Sequence, residues 1–283
     1  MNSMEQFLAI FGKYQSGDAA VHNLEALDLP TDAPRLRILW MYPDILSLHG
    51  GRGDLMALLR FATLAGVPVE IRRVEQLTDA VPLDAADMLY FCCGDLSCMP
   101  DIVKALEPRL EELKAFAEAG KVIVANGSSG AVLARDLRIL GGPTVPGLGL
   151  LGMHWTERNS VHGDDLWLTA IDDVEVVGNE IKLADVTLDS DQAPFAAVRY
   201  GRGNCGDGFE GAVTGNVIYT TCLGPVLVRN PALAMALLRR GAEAAGLDIA
   251  PERFALDPAD IALEEQGLAD ARTFITKKMK DKK

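Results

Sequence analysis

Val122-Ile-Val-Ala-Asn-Gly-Ser-Ser-Gly-Ala-Val-Leu-Ala134 is the stretch that decides the fold. Its apolar start belongs to a buried strand over 121–125. Asn126-Gly127-Ser128-Ser129-Gly130 is a tight turn, and helical spacing resumes over 131–137. A sharp strand–turn–helix exposes the side chain at its apex, and the helix start offers amide N–H groups and partial positive charge. Sites in parallel α/β sheets form at such strand ends. A second loop of this kind spans 92–99.

Outward from the turn, strands and helices alternate. Upstream the sequence predicts a strand over 36–41, a helix over 54–65 stopped by Gly66, and strands over 67–72 and 88–91. A long amphipathic helix over 101–119 ends at Gly120. Downstream, short β-rich runs at 166–169, 174–177, 195–200 and 217–221 are separated by Gly, Asp and Asn. Helical spacing returns over 231–246 and 259–278. The expectation is an α/β fold: a mostly parallel sheet with helices on both faces and a β-richer second half. Residues 1–34 read as an extension and linker, with a helix over 4–14; 35–248 form the main domain; 249–283 form a helical tail.

Composition narrows the function. The chain has 283 residues, 49% apolar, with a net charge of −13. That charge argues against nucleic acid as a partner, since phosphate binding needs clustered Lys and Arg. The basic run Lys277, Lys278, Lys280, Lys282 and Lys283 reads as a solvated end. No apolar run reaches the roughly 20 residues that span a bilayer. The first residues lack a basic, signal-like pattern, so the expected location is cytoplasmic. Five cysteines at irregular spacing do not make a secreted disulfide framework.

An ordered set of motifs resembles the class I glutamine amidotransferases of the cobyric-acid-synthase type, closest to the small amidotransferase subunit of lipid II isoglutaminyl synthase. Residues 41–54, Met-Tyr-Pro-Asp-Ile-Leu-Ser-Leu-His-Gly-Gly-Arg-Gly-Asp, resemble the family's opening loop. Phe91-Cys-Cys-Gly94 stands where that family has a glycine-rich loop, followed by Asp95. Pro146-Gly-Leu-Gly-Leu-Leu-Gly152 resembles its GLGLL entry, and Gly178-Asn-Glu180 its GFE. The glycine-rich stretch from Gly201 to Glu210 and Gly211 resembles its GYGNN…EG. Leu223-Gly-Pro-Val-Leu-Val-Arg-Asn-Pro231 resembles its HGPLLPKNP. The likeness covers about 36–280 and implies a flavodoxin-like amidotransferase domain.

Where the resemblance implies a nucleophilic cysteine, counting from Gly120 gives Gly127, or Ser128 if shifted by one. Where it implies a histidine, the chain has Leu223. Amide hydrolysis by this route needs a thiolate, a base and oxyanion donors. The expectation is therefore a pseudo-amidotransferase with no confident catalytic residue. Its pocket is expected to be lined by Cys93, Gly94, Asp95, Gly127, Ser128, Ser129, Cys222 and Leu223. The resemblance implies a Mur-ligase-like, ATP-dependent amide synthetase as partner, with a small molecule in the pocket as a further possibility. The alternatives are a repurposed enzyme using Ser128, Asp95 or Cys222, and a working glutaminase serving isoglutaminyl lipid II or cobyrinate-type amidation.

No cofactor or metal motif is read. Gly51-Arg-Gly53 and Gly201-Arg-Gly203 follow neither dinucleotide nor P-loop spacing. Cys92, Cys93, Cys98 and Cys222 read as packing groups, with a soft-metal or redox site as the alternative. His49 and His154 read as structural histidines, and Asp185, Asp189 and Asp191 as a solvated acidic loop.

Overall fold

The computed structural model describes residues 20–281, and the helix expected over 4–14 lies outside them. In chain order the strands are β1 (Ala20–His22), β2 (Leu36–Met41), β3 (Val69–Val74), β4 (Met88–Phe91), β5 (Val122–Asn126), β6 (Asp136–Arg138), β7 (Thr144–Pro146), β8 (Met153–Ala170), β9 (Glu175–Leu188), β10 (Ala196–Tyr200), β11 (Phe209–Glu210), β12 (Ala212–Thr214) and β13 (Val217–Thr220). The α-helices are α1 (Arg52–Ala65), α2 (Met99–Leu106), α3 (Leu110–Glu118), α4 (Gly130–Leu133), α5 (Val226–Arg229), α6 (Pro231–Ala244) and α7 (Ala262–Asp281).

The main sheet runs β1-β3-β2-β4-β5-β13-β12. Its five inner strands are parallel and its two edge strands antiparallel. Every residue of β4, β5 and β13 is buried, as a sheet covered by helices on both faces requires. Gly241 lets α6 lie close on the sheet: a Cβ there would stand 2.9 Å from Leu36 Cδ2 and 3.0 Å from Met88 Cε. Strand β1 falls inside the stretch expected as an extension. Buried Asn23 fixes it, donating to Val67 O and accepting from Val69 N, each at 2.8 Å.

Three local expectations need correction. The helix expected over 101–119 is two helices, because Pro108 in the 3-10 turn Glu107–Arg109 has no N–H to continue the ladder. The helix after the turn stops at Leu133 instead of 137. Beyond it the backbone is captured by sheet pairing, with Arg135 N donating to Met153 O at 2.9 Å. The short runs at 166–169 and 174–177 are the adjoining ends of one long hairpin, β8 of 18 residues and β9 of 14.

That hairpin dominates the second sheet, ordered β11-β10-β8-β6-β7, with β9 on β8. Asp185 lies in β9 rather than in a solvated loop. Arg158 holds it at 2.8 Å and Arg202 at 3.1 Å, and these guanidinium bonds help keep its carboxyl below the usual range. Helix α7 straps across the fold. Glu264 pairs with Arg60 of α1 at 2.7 Å, and Lys278 reaches Asp164 and Asp165 of β8 at 2.6 Å each. Among the described residues, no helix is long and apolar enough to cross a membrane.

His154 clamps β6 to the end of β9. Its Nδ1 is 2.8 Å from Asp136 and its Nε2 is 3.0 Å from Asp189. Two carboxylates satisfy both N–H groups of the imidazolium, and these bonds, Asp136 first, raise the His154 pKa. A raised histidine pKa contributes stability that is full below about pH 6.5 and lost as pH rises through the folded value. The side chain is 38% exposed, so screening holds the effect to about 0.5–1 kcal/mol. Thermal melts from pH 5.5 to 8.5 should show this loss in the parent protein, and His154→Gln should flatten it.

Candidate functional site

The turn after β5 is built by backbone chemistry. Asn126 is extended, at φ −118° and ψ 134°. The next residue, Gly127, has φ +62°, in the left-handed region that glycine tolerates best. Asn126 and Ser129 cap each other, and the Ser129 hydroxyl accepts from Asn126 N at 3.1 Å. The same hydroxyl lies 3.0 Å from Phe91 O and donates toward the end of β4, while the Asn126 amide donates to Cys222 O beyond β13. The turn is thus tied to the ends of both neighbouring strands.

Gly127, not Ser128, occupies the apex. A Cβ built on it would lie 2.6 Å from Cys93 Sγ and 2.7 Å from Leu223 Cδ2. No side chain fits there without displacing those two residues. Gly127, Cys93 and Leu223 therefore meet at one point, although they are far apart in sequence.

Ser128 stands beside the apex with its hydroxyl engaged. It donates to Gly94 O and accepts from Gly94 N at 3.1 Å, so it clasps the loop after β4 to the turn. Among the described residues no histidine is hydrogen-bonded to it. His49 lines the same cleft from an exposed loop, at φ +55°. His154 is committed to the second sheet, and His162 Nε2 lies 3.4 Å from Glu180. Asp95 is also spent: its carboxylate caps the following turn, accepting from Ser97 N at 2.9 Å and from the Ser97 hydroxyl at 2.6 Å.

The cysteines fill space that glycines leave. A Cβ at Gly51 would lie 2.8 Å from Cys92 Sγ, and one at Gly178 would lie 2.3 Å from Cys222 Sγ. Burial raises the pKa of Cys92, Cys93 and Cys222, so they remain thiols at neutral pH. Cys98, in the 3-10 turn Leu96–Cys98, does not line the cleft. No group of three His, Cys, Asp or Glu side chains gathers for a metal ion among the described residues.

A cleft of about 90 Å³ lies over the turn, and Cys93, Gly94, Asp95, Gly127 and Ser128 line it. Ser129, Cys222 and Leu223 do not line it: Ser129 and Cys222 are fully buried, and Leu223 packs against the apex from beneath. Trp155, Lys182 and Tyr219 line it as well, and sequence reading had not marked them. Lys182 is 5% exposed and donates to Gly203 O and Asn204 O. Buried Glu180 accepts from the Gly203 amide at 3.1 Å, and buried Glu210 from the Thr221 amide and the Thr220 hydroxyl. These three charges pin the 201–211 loop. Glu180 and Glu210 were visible as the acidic ends of glycine-flanked motifs; Lys182 follows two residues on, on the same face of β9.

Two measurements test this geometry. Gly127→Ala meets both a positive φ and a filled space, so it should destabilise the fold by about 2–5 kcal/mol in urea unfolding. Paired with Cys93→Gly it should cost less than the two single changes summed. Burial raises the Glu210 carboxyl from 4.5 to about 7. A raised acid pKa means the folded state holds the proton longer. Stability therefore falls as pH rises from about 4.5 to about 7, and Glu210→Gln should reduce that slope.

No family model and no curated protein matches the chain. Among solved structures similar to it is a glutamine amidotransferase, at 19% identity over 74% of this chain and 99% of its own, with a TM-score of 0.48. PurLQS from Thermotoga maritima is similar at 14% identity, over 75% of this chain and 97% of its own, with a TM-score of 0.43. The glutaminase domain of Trypanosoma brucei CTPS with bound acivicin is similar at 10% identity, over 76% and 96%, with a TM-score of 0.44.

Proposed function

We propose that this chain is a glutamine amidotransferase-like protein that does not hydrolyse glutamine. In this reading it acts as the structural or regulatory partner of a Mur-ligase-like, ATP-dependent amide synthetase. The observation that carries the first half is the apex itself. Gly127 has no side chain, and Cys93 and Leu223 fill the space one would need. Amide hydrolysis requires a nucleophile and a base within hydrogen-bond reach. The hydroxyl beside the apex spends its proton and a lone pair on Gly94. Loss of either partner of such a pair costs several orders of magnitude in rate. The second half is supported by the ordered motifs from 41 to 231, which resemble a family whose members serve such a synthetase.

The full chain should release no glutamate from glutamine above blank, either alone or mixed with the synthetase. Clear release would overturn the non-catalytic reading. A pull-down from the native host should recover the synthetase; a pull-down without it removes the partner role.

A further inference from the structure

We infer that the cleft over the turn binds an uncharged, largely apolar small molecule that carries a hydrogen-bond acceptor such as a carbonyl. Three of the exposed large apolar side chains stand at this one opening: Leu48 at 44%, Ile181 at 47% and Leu183 at 46% exposure. Clustered apolar exposure of this kind marks a binding surface, whereas scattered single residues do not.

Two side chains of the same lining each carry a buried polar atom with no hydrogen-bond partner. The atoms are Trp155 Nε1 and the Tyr219 hydroxyl, on side chains 5% and 0% exposed. Buried polar groups are ordinarily paired, so two orphans beside one cleft point to a ligand group. The indole N–H can only donate, and the phenol can donate. Their rings lie 5.6 Å apart between centroids, tilted by 54°, so both donors belong to one wall of the cleft. The matching group is an acceptor oxygen.

Charge separates this ligand from glutamine, which brings an ammonium and a carboxylate that each need a partner. Beside His49, the lining offers Lys182 and Asp95 as its charged side chains. Lys182 is bound to Gly203 O and Asn204 O, and Asp95 caps Ser97. An uncharged molecule leaves both undisturbed. A lining that is mostly apolar with a few polar groups is the composition of small-molecule sites.

The site goes beyond the partner role proposed above, and its test reads the cleft rather than glutamate release. Titration of the full chain with Nile red, an uncharged dye bearing a carbonyl, should give a saturable, one-to-one rise in fluorescence with a blue shift. Trp155→Phe and Tyr219→Phe each keep a ring and lose a donor, and each should weaken binding about threefold to tenfold. Ile181→Asp and Leu183→Asp change exposed rim residues that the fold does not need, and they should weaken it at least as much. Glutamine should not displace the dye. Unsaturable uptake, equal binding by the four variants, or displacement by glutamine would each overturn the inference.

Discussion

The backbone at position 127 turns through the left-handed region in a space already occupied by Cys93 and Leu223, which together leave no room for a side chain. The strand end, the loop after β4 and the loop after β13 converge there, and the volume that a larger residue would claim holds a thiol and a leucine methyl. The close fit explains why Ser128 turns its hydroxyl onto Gly94 instead of into the cleft. It also explains why the buried thiols have no thiolate character. They sit in a dense apolar joint, where burial outweighs even the Arg229 charge that acts on Cys222.

Away from this joint, buried charge fixes the walls of the cleft. Glu180, Lys182 and Glu210 bond mainly to backbone groups of the 201–211 loop and its neighbours. Each such group is costly to bury alone and stabilising once its bonds are complete. Glycines dominate that loop, so backbone amides and carbonyls can approach the side chains closely: a Cβ at Gly203 would stand 2.3 Å from Phe209 O. The loop is shaped by buried polar side chains rather than by an apolar core of its own.

The parallel sheet was legible in the sequence because its central strands are apolar runs with clear stops. Strand β4 falls where the pattern put it, and α1 ends at Gly66 with φ +70°. The long hairpin was not legible. Over 157–165 the β8 strand carries polar residues on both faces and little of it is buried, so alternation gave no signal. Lys182 and Tyr219 were hidden for a different reason. Their roles depend on which distant loop packs against each strand, and the local pattern shows only that the strands exist. Gly127 and Leu223 were found through ordered motifs, since nothing in their own chemistry draws the eye.

The packing at the apex also limits how such a sequence changes by single steps. A β-carbon at 127 would stand 2.6 Å from Cys93 Sγ and 2.7 Å from Leu223 Cδ2, so both side chains must move to admit it. A smaller residue at 93 would relieve the closer of the two contacts. The three positions thus form one steric unit, and a change at any of them is felt by the other two.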